Sequence, residues 1–390
     1  MAVGNQGAFL NPFDLGTDSA YVIISHSKLR TQSQQYANYR SSTQNVVLID
    51  IEDLYDQFAF GVRKHPLSIK NFMDFAISNW LSPPKYLFII GKSIEEQSMR
   101  KNATYAANSL VPCMGNPVSD ALLTSGLNGE KFYVPAVPTG RLAADNTAKV
   151  TTYLNKVREF ENAQNTQFNP YTIDNRQWQK RILPFAGGDN ATENTRFKNY
   201  LFGYQSSAED SLFGGKVFLF SKTSGSVIEQ LNTDSVRLLI KQGAALMTFF
   251  GHASGNTFDL SVDDPSLWDN RGRYPLVIAN SCYSGNIHLP ISSISSISEE
   301  YLFTPNQGAI AFIASPDISY ETTLNFYTRV LYNQLSLLNY GKGIGNHMQA
   351  SSDGMSQDDQ YSGIALEMTL HGDPALKVYP HEKSYLLSTT

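Results

Sequence analysis

The chain has 390 residues, of which 42% are hydrophobic and 12% aromatic, and this composition excludes a disordered, collagen-like or low-complexity protein. Its 30 Lys and Arg residues against 35 Asp and Glu residues give a formal net charge of -5, and the scattered basic residues argue against a nucleic-acid partner. At roughly 150 residues per domain, the length predicts two to three domains.

Composition also bears on where the protein acts. Charged residues make up only 17% of the chain, below the usual quarter, which favours an exported protein. No run approaches the ~20 apolar residues of a membrane span, and the N-terminus lacks the features of a signal peptide. We therefore expect a piece of a longer exported precursor. The two cysteines, Cys113 and Cys282, form at most one disulfide, so packing must hold the fold.

Short apolar runs that end in Gly, Ser or Asp alternate with helix-period segments, which is typical of a parallel sheet covered by helices. In the first half, this pattern predicts strands at residues 20–25, 46–51 and 86–91 and helices at 32–40 and 67–80. An amphipathic stretch at 147–161 and a polar segment at 162–177 follow. We place the boundary between two domains in this polar segment.

The second half repeats the alternation. Strands are predicted at residues 181–186, 216–221, 244–250, 275–281 and 308–315, and helices at 193–204, 226–242, 321–338 and 345–352. The predicted fold class is α/β, with two doubly wound three-layer α/β/α lobes. The predicted domains are an N-terminal α/β subdomain (1–178), a second subdomain (179–380) and a C-terminal tail (381–390).

Reactive side chains follow two of the predicted strands, where functional groups gather in open α/β sheets. The strand that ends at Phe250 runs into Gly251-His252-Ala253-Ser254-Gly255. The strand that ends at Asn280 runs into Ser281-Cys282-Tyr283-Ser284-Gly285. The His and Cys are 30 residues apart, which suits a strand, a connection and the next strand. We expect the two side chains to meet at one edge of the sheet.

A Cys and a His at adjacent strand ends are what covalent acyl transfer requires, namely a thiol nucleophile and an imidazole acid or base. Small neighbours would let a substrate backbone approach and leave N–H groups free for an oxyanion. Each residue also has a structural interpretation. Cys282 alone would be a buried apolar thiol, and His252 alone would be a structural histidine.

These segments, with Gly308-Ala309-Ile310-Ala311-Phe312 after them, resemble the gingipain family of cysteine peptidases. The similarity covers most of the chain and includes Tyr21-Val22-Ile23-Ile24-Ser25, Thr139-Gly140-Arg141-Leu142 and Gly372-Asp373-Pro374-Ala375-Leu376, in family order. Within the family, the chain resembles the PorU-like branch of type IX secretion sortases and exported proteases of Bacteroidota. The resemblance implies a caspase-like catalytic lobe preceded by a second α/β lobe.

The resemblance also implies roles for single residues. Cys282 is the implied nucleophile and His252 the partner acid. The backbone N–H groups of Cys282 and Ala253 form the implied oxyanion hole, although the family usually has Gly after the His. A carboxylate after the first strand of the catalytic lobe orients the His, and we assign this role to Asp189, with Glu193 and Asp259 as competitors. Asp189 is also a good turn or helix starter.

Substrate selection is expected to depend on the residues around Cys282 and on the loop at 315–321. The predicted substrate-binding residues are Phe250, Ser281, Tyr320, Glu321 and Glu193. Arginine-specific gingipains have an aromatic pair in that loop and a small residue where this chain has Phe250. Tyr320 is followed here by Glu321, so we do not carry arginine specificity over to this protein.

No cofactor is required by this chemistry. Asp263, Asp264 and Asp269 are candidates for a structural calcium ion, but they lack the EF-hand spacing and a solvated turn is favoured. His65, His288, His347, His371 and His381 form no HxH or HxxxH pair, so no catalytic zinc site is predicted. No strand is followed by a glycine fingerprint with the right spacing, which disfavours a nucleotide-binding protein.

The resemblance therefore implies a cysteine endopeptidase that forms an acyl-enzyme thioester. Hydrolysis and transpeptidation, as in a sortase, both remain open. The expected partners are protein or peptide substrates and other type IX secretion components, and the expected location is extracellular or at the outer-membrane surface. The alternative from a different class is a catalytically silent caspase-like scaffold that binds a peptide or protein.

Overall fold

The structure, a computed structural model, describes residues 11–13, 15, 18–166, 173–231, 233–254, 256–262, 264–291, 295–355 and 359–378. The predicted tail (381–390), Gly255 and the candidate calcium ligand Asp263 lie outside these residues. Within them, no helix combines the length and the apolar character needed to cross a bilayer.

Strands and helices alternate along most of the chain. The described strands are β1 (Tyr21–Ser25), β2 (Val46–Asp50), β3 (Tyr86–Ile90), β4 (Thr139–Leu142), β5 (Arg181–Ala186), β6 (Lys216–Val217), β7 (Phe220–Ser221), β8 (Glu229–Gln230), β9 (Leu246–Phe250), β10 (Leu260–Ser261), β11 (Leu276–Asn280), β12 (Ala311–Ala314) and β13 (Thr369–His371).

The described α-helices are α1 (Arg30–Arg40), α2 (Ile51–Phe58), α3 (Leu67–Asn79), α4 (Glu96–Lys101), α5 (Ala103–Asn108), α6 (Thr147–Asn165), α7 (Ile173–Arg176), α8 (Ala191–Glu209), α9 (Asp234–Gln242), α10 (Ile297–Phe303), α11 (Glu321–Asn333), α12 (Ile344–Asp353) and α13 (Asp359–Glu367). Short 3₁₀ turns and one π-helical turn (Gln334–Leu338) complete the described elements.

A single large sheet runs through the described part of the molecule. It has 11 strands in the order β2-β1-β3-β4-β13-β12-β11-β9-β5-β6, and β7 also pairs with β5. The central strands β1, β3, β9 and β11 are buried along their whole length. Such runs of Val, Ile, Leu and Phe without polar alternation are typical of strands covered on both faces. The predicted α/β class is confirmed.

Strand direction reverses where the two predicted strand series meet. β13 is parallel to β4, but β12 and β13 are antiparallel, while β12, β11, β9 and β5 are parallel to one another. The carboxyl ends of the two series therefore open at opposite edges of the sheet. The division into two lobes stays a prediction, because strands from both series form one sheet.

Buried polar contacts join the two series. Arg40 Nε in α1 donates to Asp373 Oδ2 at 2.7 Å, and the Tyr36 hydroxyl donates to the same carboxylate. Lys92 Nζ, after β3, donates to Glu299 Oε1 in α10 at 2.8 Å. These charged side chains are almost completely removed from solvent, so the interaction with its partner must offset the free-energy cost of desolvating each charge.

Most of the predicted elements are present, with boundary shifts of a few residues. β4, β8, β10 and β13 were not predicted, because two to four residues give too short a pattern to detect. The helices α2, α4, α5, α7, α10 and α13 were also not predicted.

One prediction was wrong in a way that affects the site described below. The helix predicted at 226–242 begins only at Asp234, where the Thr233 side chain caps α9 by accepting from the Val236 N–H. The preceding residues form a loop and the strand β8. The Glu229 carboxylate accepts hydrogen bonds from the N–H groups of Thr223 and Ser224 and so stabilises this loop.

Candidate active site

The His252 and Cys282 turns lie side by side at one edge of the sheet. β9 and β11 are parallel neighbours, with Phe250 paired to Asn280, so each candidate residue lies two positions beyond this pair. The Gly251 N–H donates to the Asn280 carbonyl at 3.2 Å, which continues the ladder into the turn. Because neighbouring strands are about 4.8 Å apart, the sequence-based expectation of a shared edge is met.

Contacts with the loop after β12 hold the Cys282 turn. The Cys282 thiol is partly exposed and donates to the Ser319 carbonyl at 3.7 Å. The Tyr283 N–H donates to the Asp317 carbonyl at 3.0 Å, and Tyr283 has a φ of 58°. A bulky residue in the left-handed region is strained, and such strain persists only where the surroundings enforce it. The thiol is therefore presented from a constrained turn.

Two carboxylates flank the His252 ring. The Nε2 atom lies 3.1 Å from Glu193 Oε2 and 3.8 Å from Asp189 Oδ2. The Phe197 ring is also beside the imidazole, with 6.0 Å between the ring centroids. In the described residues, the His252 ring has no hydrogen bond to Cys282. Hydrogen bonds between catalytic groups are often long or poorly aligned before a substrate binds. The lack of a hydrogen bond between His252 and Cys282 is therefore compatible with a Cys-His pair.

Glu193 is fixed by the start of α8. Asn190 is the N-cap, and its side chain accepts from the Glu193 N–H at 3.0 Å. The Asp189 N–H donates to Glu193 Oε2 at 2.7 Å. Burial by itself would raise the pKa of Glu193, but this N–H, His252 and Arg196 together lower it below its usual range. Glu193 is thus an ionised, oriented partner for the imidazole.

Arg196, which the sequence analysis missed, links Glu193 to the loop after β12. Its guanidinium lies 3.5 Å from Glu193 Oε1 and 2.7 Å from Glu321 Oε2. Arg196 follows Glu193 by three positions in α8, a spacing that pairs opposite charges on one helix face. That spacing is the sequence signal that could have identified it.

Asp259, the third candidate for the orienting carboxylate, contacts the backbone of the His252 turn. Its buried carboxylate accepts from the His252 N–H at 3.2 Å and from the Gly188 N–H at 2.7 Å, and it lies 3.7 Å from Lys222 Nζ. Burial raises the pKa of Asp259, although these contacts partly offset the shift. Asp259 holds the turn in place, whereas Glu193 and Asp189 face the ring.

The two backbone groups predicted for the oxyanion hole are available. Within the described residues, the N–H groups of Ala253 and Cys282 donate no hydrogen bond to the protein. Ala253 does not have a positive φ, so alanine in place of the usual glycine introduces no backbone strain. Both N–H groups are therefore free to stabilise negative charge on a substrate oxygen.

The structure corrects two of the predicted substrate-binding residues. Phe250 is only 1% exposed, and its ring packs against Phe197 and Tyr200 with centroid distances of 4.9 and 5.1 Å. Ser281 is 2% exposed, and its hydroxyl donates to Ser284 Oγ at 3.0 Å. At the end of each strand these side chains point into the protein interior, so neither is available to a substrate.

The other predicted substrate-binding residues lie at the surface of the site. Tyr320 is exposed and precedes α11, and Glu321 is partly exposed and paired with Arg196. Glu193 contacts the imidazole, as described above. These residues border the region between His252 and the loop that carries Ser319.

The glycines of the two turns have a role different from the predicted one. A Cβ atom on Gly251 would lie 2.6 Å from Asp259 Oδ1, and one on Gly285 would lie 2.6 Å from the Ala314 carbonyl oxygen. Both positions are in van der Waals contact with the protein interior. Glycine is thus needed for packing between strand ends, a role that the sequence analysis did not assign to it, and the approach of a substrate backbone to these turns stays a prediction.

Cys113 is partly exposed, as Cys282 is, but its thiol group is surrounded differently. Its thiol donates to the Ile94 carbonyl at 3.7 Å, and burial raises the pKa of this thiol to about 12. Arg141 lowers this pKa and Asp120 raises it, but both effects are smaller than that of burial. A thiol with such a pKa is protonated at neutral pH and is a poor nucleophile.

Among the described residues, Asp189, Glu193 and His252 place one potential ligand atom each within 4.8 Å of one another, a set that could hold a metal ion. The described members of the predicted calcium set are apart from this group. Asp264 accepts from the Ser266 N–H at 2.7 Å, and Asp269 pairs with Lys241 at 2.9 Å. Calcium binding at this set stays a prediction.

Comparisons with known proteins bear on the family and the fold. The sequence profile described as peptidase family C25 matches residues 14–379. Similar solved structures are the Arg-specific cysteine proteinase gingipain R (RgpB; 13% identity, TM-score 0.68, 92% of this chain and 78% of that one), the complex of Porphyromonas gingivalis RgpB pro- and mature domains (14%, 0.67, 91% and 79%) and a further protease (14%, 0.66, 95% and 79%). No curated protein sequence matches significantly. At these identities, the solved structures establish the fold alone.

Proposed function

Because the chain belongs to peptidase family C25, the gingipain-type cysteine peptidases, and is therefore a cysteine peptidase, we propose that Cys282 is its nucleophile and His252 its partner acid. The observation that supports this assignment best is the juxtaposition of the two turns at the ends of the paired strands β9 and β11. The partly exposed thiol and the unpaired N–H groups of Ala253 and Cys282 add to it.

In the proposed reaction, the Cys282 thiolate attacks the carbonyl carbon of a peptide bond, and the negative charge that develops on oxygen is stabilised by the Ala253 and Cys282 N–H groups. The C–N bond then breaks, and His252 gives its proton to the leaving amine. Water attacks the resulting thioester, which releases the carboxylic acid and restores the thiol. The Cys282 thiol gives its proton to His252 as the thiolate forms, and the attacking water supplies the proton that restores the thiol, so these steps need no cofactor.

We assign the orienting role to Glu193 rather than to Asp189. Glu193 is the nearer of the two to His252 Nε2, at 3.1 against 3.8 Å, and it is held by the Asp189 N–H and by Arg196. With Nε2 engaged by the carboxylate, Nδ1 is the ring nitrogen left for the leaving amine. A fixed imidazole orientation is what such a carboxylate contributes in peptidase triads.

The proposed substrate is a protein or peptide, and arginine specificity is not part of the proposal. The Phe250 ring, buried against Phe197 and Tyr200, occupies space that a smaller residue would leave open beside the catalytic turn. Arg196 pairs with both Glu193 and Glu321, so these two carboxylates are already bound to a cation of the protein. Neither feature favours a cationic substrate side chain.

The cellular setting is proposed from the composition and the resemblance. A charged fraction of only 17% and the PorU-like segments support an exported protein of the type IX secretion pathway, acting at the cell surface or outside the cell. In that branch, an amine acceptor in place of water would make the enzyme a sortase. Hydrolysis and transpeptidation share the acylation step described above.

The test compares the two thiols and their dependence on His252. Iodoacetamide should modify Cys282 in the native protein much faster than Cys113, and the rate should fall in His252→Ala. Peptide cleavage should be abolished in Cys282→Ala and unaffected in the matched variant Cys113→Ala. Rates follow from intact-mass and peptide mass spectrometry, and the fold of each variant is checked by its melting temperature.

Three outcomes would contradict the proposal. Equal labelling of both cysteines would remove the argument for an activated Cys282. Cleavage by Cys282→Ala near the native rate would exclude this thiol as nucleophile. A native protein with neither cleavage nor selective labelling, in the presence of added peptide libraries, would favour the silent caspase-like scaffold.

A further inference from the structure

A cleft of about 320 Å³ adjoins His252 on the side away from Cys282. It is lined chiefly by apolar groups, from Val227, Ile228, Ala253 and Phe258, and it also includes His252 itself. Its position follows from the sheet order, in which β11 carries Cys282, β9 carries His252, and β5 and β7 lie beyond β9. The cleft therefore begins at the His252 member of the proposed catalytic pair.

The apolar wall of the cleft is exposed yet firmly held. Val227 is 83% exposed and Ile228 is 49% exposed, so both side chains present apolar surface to the solvent beside His252. The Lys222 ammonium group donates to the Val227 carbonyl at 3.5 Å. The Glu229 N–H donates to the Asp259 carbonyl at 2.8 Å, and β8 pairs with β10. These bonds fix the loop before any ligand binds.

The floor of the cleft is also preorganised. Phe258 is buried and its ring packs on Phe249 with a centroid distance of 4.0 Å. The Ser254 N–H donates to the Thr257 carbonyl at 3.1 Å and the Asp259 N–H to the His252 carbonyl at 2.9 Å, so Ala253 is held opposite Phe258. A side chain that enters the cleft would thus contact surfaces that need no ordering, which reduces the entropy cost of binding.

The chemistry identifies which part of a substrate reaches this cleft. The scissile carbonyl must lie over Cys282, and His252 must reach the leaving nitrogen. A chain that runs from Cys282 past His252 enters the cleft immediately after the cleaved bond. The cleft therefore faces the leaving-group side of the substrate.

The charged groups around the cleft limit which substrate side chains it can bind. Asp189 lies at the rim with its carboxylate largely exposed, and the ionised Glu193 is next to it on the His252 ring. These carboxylates repel an acidic side chain. None of the three carboxylates offers a strong site for a basic side chain. Asp259 in the floor is already engaged by Lys222 and by backbone N–H groups, Glu193 is paired with Arg196, and the exposed Asp189 is screened by solvent.

We propose that this cleft is the subsite for the first residue after the scissile bond and that it selects an aliphatic or aromatic side chain. The inference rests on the proposed peptidase function. It adds a specificity determinant on the leaving-group side, formed by Val227, Ile228 and Phe258.

The experiment uses the full chain and internally quenched peptides that differ only in the residue after the cleaved bond, which is first located with a randomised peptide mixture. Leu or Phe at this position should give a kcat/KM about tenfold or more above that of Asp, the size of discrimination expected from an apolar pocket. Val227→Asp should remove most of this preference, and Val227→Leu should retain it.

The matched control is Leu81→Asp. Leu81 is 82% exposed, like Val227, but it precedes β3, which is five strand positions from β9 and so about 24 Å away across the sheet. A second readout is inactivation by a peptidyl chloromethyl ketone, which alkylates Cys282 but has no residue after the scissile position. Its rate should be the same in the native protein, Val227→Asp and Leu81→Asp.

The two failures can be distinguished. Peptide turnover without any preference at this position, or a preference that survives in Val227→Asp, would overturn the subsite alone. Equal losses of ketone inactivation and peptide turnover in Val227→Asp would also overturn it, because the change would then have damaged the catalytic turn. Absence of both turnover and ketone labelling in the native protein would overturn the proposed function, and the subsite with it.

Discussion

The two carboxylates beside the His252 ring differ in how far they are buried. The Glu193 side chain is 16% exposed, whereas that of Asp189 is 65% exposed. An exposed carboxylate is screened by solvent and holds a neighbour weakly, while a buried one acts at lower dielectric. Glu193, which the sequence analysis gave as a competitor of Asp189, is thus the better oriented of the two carboxylates.

We expect Glu193→Gln to lower kcat by roughly ten- to a thousandfold with little change in KM, because an orienting carboxylate acts in the transition state more than in substrate binding. Asp189→Asn should change kcat by less than about threefold, since exposed charge pairs contribute little. Steady-state kinetics at saturating and limiting peptide concentrations measure both parameters.

A silent Glu193→Gln together with a crippling Asp189→Asn would return the orienting role to Asp189. Asp259→Asn is a useful third variant. Because Asp259 binds the backbone of the His252 turn, its replacement should lower the melting temperature as well as the activity, whereas Glu193→Gln should leave the melting temperature nearly unchanged.

Among the secondary-structure elements, the segment after β13 shows how a short motif can stabilise the fold. Gly372-Asp373-Pro374 stood out in the sequence only through the family resemblance. In the structure, the buried Asp373 carboxylate binds Arg40 and Tyr36 in α1, which joins the last described strand to the first helix. Asp373 Oδ1 also accepts from the Ala375 N–H at 2.7 Å.

We expect Asp373→Ala to lower the free energy of unfolding by about 3–5 kcal/mol, because it leaves the Arg40 charge buried without this partner. The control Asp269→Ala removes an exposed ion pair with Lys241 and should cost less than about 1 kcal/mol. Denaturant unfolding followed by circular dichroism measures both. Equal and small effects would mean that Glu161, the other carboxylate on Arg40, is sufficient.

The loop at 223–228 is the element that sequence patterns described least well. Its residues follow an apolar spacing that continues into α9, so a helix was predicted from 226. The structure instead satisfies the Thr223 and Ser224 N–H groups with the Glu229 carboxylate and pairs β8 with β10. A tertiary contact thus overrides a local propensity, as short apolar patterns permit.

For the molecule as a whole, buried histidines connect stability to pH. Burial lowers the pKa of His288 to about 3 and that of His347 to about 4, and it lowers the pKa of His371 well below the usual value of 6.5. Two of these link the strand series, because His288 contacts Ser93 and His371 contacts Ser298 and the Ala143 N–H.

We therefore expect the free energy of unfolding to have its full value above about pH 6.5 and to fall as the pH decreases towards 4. The unfolded chain binds protons at these histidines below pH 6.5 while the folded protein does not, and each contributes a slope of up to about 1.4 kcal/mol per pH unit. Denaturant unfolding at pH 7.5, 6.5, 5.5 and 5.0 measures the slope, which should be shallower in His347→Gln. A stability that is constant between pH 7.5 and 5.0 would contradict this prediction.

The sequence predicts more of the fold than of the candidate active site. The α/β class, most of the long strands and helices, and the nearness of His252 and Cys282 could be predicted, because each follows from local patterning and from the rule that parallel strand ends share an edge. The family followed from short segments around the same two residues. These inferences need only residue order.

Tertiary packing alone decided the rest. Which of three acidic residues faces the imidazole depends on the start of α8, and the removal of Phe250 and Ser281 from the surface depends on the direction in which each strand end turns its side chains. The reversal of strand direction at β12–β13 and the exposure of Val227 and Ile228 likewise result from contacts between residues far apart in the chain. Sequence periodicity indicates which residues form the apolar face of a helix or strand. It does not indicate which side chains pack against that face, because those contacts form only when distant segments of the chain come together.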